Sequence, residues 1–276
     1  MTLQGASILL PARRVDKQLK ASIRSCLRQI RFDLLEIIVI IEKSDLSTIQ
    51  AAQSVRDSRV CILQVPDGSS LSAKLNFGLQ AANFPYVARM DADDQCLPWR
   101  FSRQLEVLTS GKADVLFSTA IIFGSHLRPF PILPQIPISL GPEDMRQGLV
   151  FANPAVHPTM FARKDVLSSV GGYREVPAED LDLWIRLSLA GKKIVRDWCP
   201  AILYRYSRDS MSHSSDFRDS VEESESITQG RKDLAILVLE ETRSDIPIDA
   251  NLNNLRRAIN RTTRLKVASW GVGLNQ

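Results

Sequence analysis

Glu36-Ile37-Ile38-Val39-Ile40-Ile41 is a nearly unbroken run of β-branched apolar residues. A strand with one face in water alternates apolar and polar side chains. A run without that alternation fits a central parallel strand covered on both faces. Around it two periodicities alternate along the chain. Residues 6–10 read as a short buried strand, and 16–30 as a helix with Leu19, Ile23, Leu27 and Ile30 on one face. Residues 46–55 follow as a helix, 60–65 as a strand, 72–82 as a helix carrying Leu75, Leu79 and Ala82, and 86–90 as a strand. Strand and helix in this order imply right-handed crossovers, and so an α/β fold with a mostly parallel sheet flanked by helices.

The second half is read less regularly. Residues 99–108 are expected to form a helix and 113–123 a strand. Pro129, Pro131, Pro134, Pro137 and Pro142 then argue for an extended surface loop. A strand is expected over 157–161, then a short helix and a turn at Gly171-Gly172. Residues 179–190 carry Leu183, Trp184 and Leu187 at helical spacing, with Gly191 closing the helix. Beyond about residue 214 the chain reads as helical and more polar. The expected division is a catalytic domain over 1–213 and a helical C-terminal extension over 214–276.

Composition narrows the class of protein. Hydrophobic residues make up 44% and charged residues 24%, as in an ordinary globular chain rather than a disordered one. No apolar run approaches the ~18 residues of a membrane span. Arg13-Arg14 follows the first apolar segment rather than preceding it, which is a poor signal peptide. Cys26, Cys61, Cys96 and Cys199 are widely spaced, which suits reduced thiols better than a zinc site or disulfide framework. A net charge of +4 is too mild to indicate nucleic-acid binding, and none is expected. A cytoplasmic location is expected.

Asp91-Ala92-Asp93-Asp94 follows the strand at 86–90. Carboxylates this close repel one another unless a cation lies between them, and oxygen ligands on a short turn suit Mg²⁺ or Mn²⁺. The carboxyl ends of parallel strands are where ligands bind in open α/β sheets. The alternative reading of such a turn is simply a solvated acidic loop.

Six blocks in order carry a family resemblance. They are Ser7-Ile8-Leu9-Leu10-Pro11, Leu75-Asn76-Phe77-Gly78-Leu79 and Ala88-Arg89-Met90-Asp91-Ala92-Asp93-Asp94, then His157-Pro158-Thr159-Met160-Phe161, Gly171-Gly172-Tyr173-Arg174 and the stretch from Glu179-Asp180 to Leu187. Together, over roughly residues 5–212, they resemble the family 2 glycosyltransferases of the GT-A fold, a Rossmann-like α/β architecture. That resemblance implies transfer of a sugar from a nucleotide-diphosphate donor, with inversion, to a glycan or lipid-linked acceptor, in surface polysaccharide biosynthesis.

The resemblance also implies roles. Asp93 is the expected metal ligand, with Asp91 on the metal or the donor ribose, and Mn²⁺ or Mg²⁺ as cofactor. Asp94 either caps the helix near Trp99 or binds sugar hydroxyls. Asp180 is the expected catalytic base, although Glu179 and Asp180 would also complement a helix dipole. Pro11, Glu42, Lys74, Asn76 and Arg89 join Asp91 and Asp94 on the donor side. Trp99, His157 and Glu179 are placed on the acceptor side, with Trp99 as a wall of the sugar pocket and Trp184 in the core.

Two departures stand out. Where the family usually has Asp-Asp-Gly-Ser, this chain has Ile41-Glu42-Lys43-Ser44, so Glu42 alone can supply the carboxylate that reads the donor base. Tyr204-Arg205 lacks the histidine that often follows, and His213 comes later, leaving a third metal ligand unassigned. The altered segment prompts an alternative, a catalytically degenerate nucleotide-sugar-binding or scaffold protein. A nucleotidyltransferase is the lesser alternative, because Pro11-Ala12-Arg13-Arg14 has no glycine. Near the C-terminus, Arg257, Arg261 and Arg264 fall on one helical face, with Arg256 and Lys266 nearby. That helix would make peripheral contact with the inner face of a membrane, or remain a solvated basic helix.

Overall fold

A computed structural model describes residues 4–13, 17–124, 132–134, 138–206, 215–241 and 252–262. Its first half runs β1 (Ala6–Pro11), α1 (Lys17–Leu27), β2 (Leu35–Glu42), α2 (Leu46–Gln53), β3 (Val60–Val65), α3 (Leu71–Ala81) and β4 (Tyr86–Arg89). The four strands are parallel in the order β3-β2-β1-β4, so β1 lies between β2 and β4, with Ile8 opposite both Ile37 and Ala88.

The apolar run in β2 is buried from Leu35 to Ile41 because both faces are covered. Ile38 and Ile40 enter one core with Leu75 and Leu79 of α3. Ile37, Val39 and Ile41 enter the other with Leu19 and Ile23 of α1 and Ile49 of α2. Each such side chain stabilises the fold by roughly 1.5–3 kcal/mol relative to exposure. The chain reverses its progress across the sheet between β1 and β4, which places a crevice at their carboxyl ends.

The second half comprises β5 (Gln95–Cys96), α4 (Arg100–Thr109), β6 (Val115–Phe123), β7 (Ile132–Pro134), α5 (Pro142–Phe151), a 3-10 turn (His157–Thr159), β8 (Phe161–Arg163), α6 (Lys164–Ser169), α7 (Glu179–Leu189), β9 (Ile194–Arg205), α8 (Ser215–Glu223), α9 (Glu225–Glu241) and α10 (Leu252–Thr262). The sheet continues β4-β8-β6-β9-β5, with β7 on β6. β8 is antiparallel to both neighbours, β6 and β9 are parallel, and β5 and β7 are antiparallel to their partners. The expected α/β fold is therefore present, as a mixed sheet with a parallel half.

Several local expectations are corrected. Helix α1 stops at Leu27, and Ile30 is 56% exposed rather than on the buried face. Within the proline-rich stretch, Ile132–Pro134 is an edge strand, where proline costs no ladder bond, and Pro142 starts a helix rather than continuing a loop. Pro142 lies in the first turn of α5, where its missing N–H is not needed, and the Gly141 N–H is held by Asp144 Oδ2 at 3.2 Å. The strand expected over 157–161 begins only at Phe161. Before it, Thr159 and Met160 donate to the Val156 and His157 carbonyls in a 3-10 turn compatible with the fixed φ of Pro158.

The expected boundary near 213 lies outside the described residues. Ile227, Leu234, Ala235, Val238 and Leu239 of α9, and Leu255 of α10, share one apolar core with Leu183, Trp184 and Ile185 of α7. A Cβ on Gly230 would meet Ile185 Cγ2 at 2.8 Å, so glycine lets α9 approach α7 closely. On α10, Arg256 turns inward and bonds the Val150 carbonyl at 3.0 Å, while Arg257 is exposed. The side chains of Arg261, Arg264 and Lys266 fall outside the described residues. Among the described residues, no helix is long and apolar enough to cross a membrane.

Candidate active site

The acidic turn emerges where β4 ends. The Met90 N–H still bonds the Leu9 carbonyl of β1, and the chain then turns away. Ser22 of α1 donates its hydroxyl to the Asp91 carbonyl at 2.8 Å. From the opposite side Arg205, at the end of β9, donates its backbone N–H to Asp94 Oδ1 at 2.7 Å and its Nε–H to the Asp93 carbonyl at 3.2 Å. Two distant elements therefore hold the turn. Asp94 does not cap α4: that helix is preceded by Trp99 at its N-cap, with no side-chain capping bond. Asp94 is buried, and its Oδ2 has no hydrogen-bond partner.

Burial, and then the neighbouring Asp91 charge, push the Asp93 carboxyl above its ordinary range. The same two causes raise Asp94 well above it. The Tyr204 phenol is raised by burial and by all three aspartates, so β9 faces the turn. Arg89 supplies a countercharge to Asp91, and Arg205 one to Asp93. Arg89 is buried, its Nη1 lies 2.5 Å from Asp91 Oδ1, and its Nε has no hydrogen-bond partner.

A second acidic pair opens α7. Ala178 just before it has φ 50° and ψ 58°, a left-handed conformation that costs a non-glycine residue roughly 1–2 kcal/mol. Asp180 Oδ1 accepts the Leu181 N–H at 2.7 Å, and Oδ2 accepts from Asn153 Nδ2 at 2.8 Å. Burial, followed by the Asp180 charge, pushes Glu179 up to about 7, and Asp91 contributes to the rise. Asp180 is raised by burial, against the opposing bonds from Leu181 and Asn153 and the Arg89 charge. Arg89 thus lies electrostatically between the two acidic groups, acting on Asp93, Asp94, Glu179 and Asp180.

His157 sits beneath this arrangement. Its Nε2 lies 2.9 Å from the Tyr173 hydroxyl, and its ring meets Trp184 edge-on. Burial and then the Arg89 charge hold its pKa well below the ordinary value, so the imidazole is neutral. Tyr173 is fixed by Asn76, which accepts its N–H at 2.9 Å and donates to its carbonyl at 2.7 Å. Asn76 is thereby engaged in holding the Gly171-Gly172 turn. Gly172 has φ +68°, and a Cβ there would lie 2.5 Å from Asn76 Oδ1. Arg186 of α7 clamps the same turn through the Val170 and Gly172 carbonyls.

Pro11 and Glu42 lie at the carboxyl ends of β1 and β2, on the same sheet edge as Asp91. Glu42 and Lys74 meet each other: Lys74 Nζ is 2.6 Å from Glu42 Oε1, and the Gly68 N–H bonds Oε2. The Lys74 hydrogen bond, then that of Gly68, lowers the Glu42 pKa. Trp99 lies beside the middle of β9. Its indole donates to the Pro200 carbonyl, five residues along β9 from Arg205, or ~16 Å at ~3.3 Å per residue. Asn153, Tyr173 and Arg205 were not among the residues singled out from the sequence. Tyr173 lay inside the Gly171–Arg174 block and Arg205 in the Tyr204-Arg205 pair, each without a role of its own, and nothing around Asn153 marked it.

Asp91 and Asp93 offer hard oxygen donors on a partly exposed turn, and the buried Oδ2 of Asp94 beside them has no hydrogen-bond partner. That chemistry fits Mg²⁺ or Mn²⁺. Among the described residues, no group of three or more His, Cys, Asp or Glu side chains forms a ligand cage. His213 lies outside the described residues.

Residues 7–171 match the family described as Glycosyl transferase family 2. Among curated proteins, the chain is 30% identical over 203 residues to the O-antigen biosynthesis glycosyltransferase WbnJ of Escherichia coli, covering 67% of this chain and 72% of that one. It is 29% identical over 186 residues to the amylovoran biosynthesis glycosyltransferase AmsE of Erwinia amylovora, covering 65% and 68%. Among solved structures, S. aureus TarS 1-349 in complex with UDP-GlcNAc superposes with TM-score 0.62 at 16% identity, over 93% of this chain and 72% of that one. The chain spans 42% of the longer TarS chain.

Proposed function

Because the chain belongs to glycosyl transferase family 2, we propose that it moves a sugar, with inversion, from a nucleotide-diphosphate donor to a glycan or lipid-linked acceptor in surface polysaccharide assembly. The observation that carries this reading is the placement of two carboxylate clusters, Asp91-Asp93-Asp94 and Glu179-Asp180, around the buried cation of Arg89. The likeness to glycosyltransferases of O-antigen and amylovoran biosynthesis supports the polysaccharide setting.

In this reading the donor lies at the sheet edge formed by Pro11, Glu42 and Asp91, with Lys74 and Arg89 contributing positive charge. Asp93 and Asp91 would hold Mn²⁺ or Mg²⁺, which when bound stabilises negative charge on the departing diphosphate. Asp180 takes the acceptor hydroxyl proton from the face opposite the leaving group. The acceptor oxygen bonds the anomeric carbon as the bond to the phosphate oxygen breaks, and the electron pair leaves with the nucleoside diphosphate. Asn153 and the Leu181 N–H aim the Asp180 carboxylate, and its raised pKa makes it a stronger proton acceptor than a free aspartate. The neutral His157 and Tyr173 form the floor on the acceptor side. In this reading the reaction takes place at the cytoplasmic face of a membrane, with the exposed Arg257 of α10 toward the lipid.

Asp93→Asn and Asp180→Asn test the reading against a panel of UDP-, GDP- and dTDP-sugars with and without Mn²⁺. Asp93→Asn is expected to lose metal-dependent donor binding in calorimetry, and Asp180→Asn to keep binding but lose transfer. Unchanged transfer in both would overturn the assignments. A scaffold that binds a nucleotide sugar without turnover is the second reading, favoured by the engagement of Glu42 with Lys74. Metal-dependent binding with no transfer to any acceptor would select it.

A further inference from the structure

The register between β6 and β9 slips beside Ser118. Ser118 faces Asp197 but Thr119 faces Pro200, so Trp198 and Cys199 have no partner on β6. A bulge of this kind re-aims side chains out of a sheet. Trp198 is left 52% exposed, and opposite it stands Trp99 at the head of α4, 44% exposed. The Trp99 ring is not free to swing, because its Nε1–H bonds the Pro200 carbonyl at 2.9 Å. Between the two lies an open depression of about 440 Å³, lined also by Ser102, Arg103, Glu106 and Cys199.

The rim of this depression limits what can occupy it. Arg103 lies 3.6 Å from Asp197 and 3.9 Å from Glu106, so its charge is already opposed by two carboxylates. With no cationic surplus, the surface suits neither a nucleic acid nor an anionic bilayer. It presents the held ring of Trp99 and the exposed ring of Trp198, surrounded by neutral or balanced hydrogen-bonding groups. A pyranose ring is the complementary object, with an apolar C–H face to lie on an indole and hydroxyls at its edge for Ser102, Arg103 and Glu106.

We propose that the Trp99–Trp198 depression is a glycan-docking subsite that holds an already built part of the acceptor polysaccharide. Along β9 from the Arg205 that pins the acidic turn, Pro200, which holds Trp99, is ~16 Å away and Trp198 ~23 Å, at ~3.3 Å per residue. The inference rests on the reading that the acceptor is a glycan. It adds a second point of attachment, so a long acceptor binds through its body as well as its reacting end.

The test uses the full chain, wild type and Trp99→Ala/Trp198→Ala, on an array of neutral and acidic bacterial oligosaccharides. The wild type is expected to retain at least one neutral oligosaccharide, and the double variant to bind it about tenfold more weakly. Trp198→Phe, which keeps a ring face, is expected to retain the binding. Calorimetry of donor sugars with Mn²⁺ on the same samples is expected to be unchanged. That measurement reports separately on the catalytic reading, so loss of donor binding in the wild type would count against that reading alone. Equal glycan binding by wild type and double variant, or none by either, overturns the proposal. So does loss, in the double variant, of binding to phosphatidylglycerol/phosphatidylcholine vesicles or of self-association in sedimentation, with glycan binding intact.

Discussion

Asn153 Nδ2 donates to Asp180 Oδ2 at 2.8 Å, so a side chain just past the end of α5 aims a carboxylate at the head of α7. The bond favours the charged form of Asp180, against the burial that raises it. Asn153→Ala is expected to lower kcat by roughly 10-fold to 100-fold, part of the ~10²–10⁴ that a positioned base contributes. It should also move the acidic limb of the pH–rate profile to higher pH, because the ionised carboxylate loses a donor. A profile that keeps its shape would remove Asn153 from the base's orientation.

Glu179 makes the folded chain sensitive to pH. Its carboxyl is held up to about 7, against an ordinary value of 4.5. Below about pH 4.5 both folded and unfolded chains carry it protonated, and it costs nothing. Between about pH 4.5 and 7 the unfolded chain ionises first, so stability is lost as pH rises, and above 7 the penalty is complete. Glu179→Gln should therefore match the wild type in Tm at pH 4. At pH 8, in metal-free buffer, it should be more stable by about 3 kcal/mol. Equal Tm values at both pH values would contradict the burial of this carboxyl.

The Gly172 turn is predicted to be a structural hinge of the site. Alanine there would occupy a φ of +68° and place its Cβ 2.5 Å from Asn76 Oδ1. The strain costs roughly 1–2 kcal/mol, and displacing Asn76 from Tyr173 adds about 1 kcal/mol per bond lost. Urea titration of Gly172→Ala should show a loss of about 2–4 kcal/mol. In an Asn76→Ala background the same change should cost only the backbone strain.

Chelation tests the acidic turn directly. Treatment with EDTA is expected to abolish transfer, and Mn²⁺ or Mg²⁺ to restore it in wild type but not in Asp93→Asn. Full activity after exhaustive chelation would show that Asp91 and Asp93 serve the donor without a cation.

Sequence pattern alone determined the parallel half of the sheet. The Ile-Val run of β2 and the helical spacing of Leu75 and Leu79 are local periodicities, and burial on both faces follows from them. The acidic turn and the Glu179-Asp180 pair were also legible, because each is a contiguous cluster of like charge. What tertiary structure decided involves residues far apart in the chain. Arg205 reaches Asp94 across 111 positions, and Asn153 reaches Asp180 across 27. The insertion of β8 antiparallel between β4 and β6, and the bulge that leaves Trp198 unpaired beside the depression it shares with Trp99, likewise depend on pairing between distant strands. Residue spacing records which side chains share one face of an element. It does not record which faces meet, and that is set by the packing of the whole sheet.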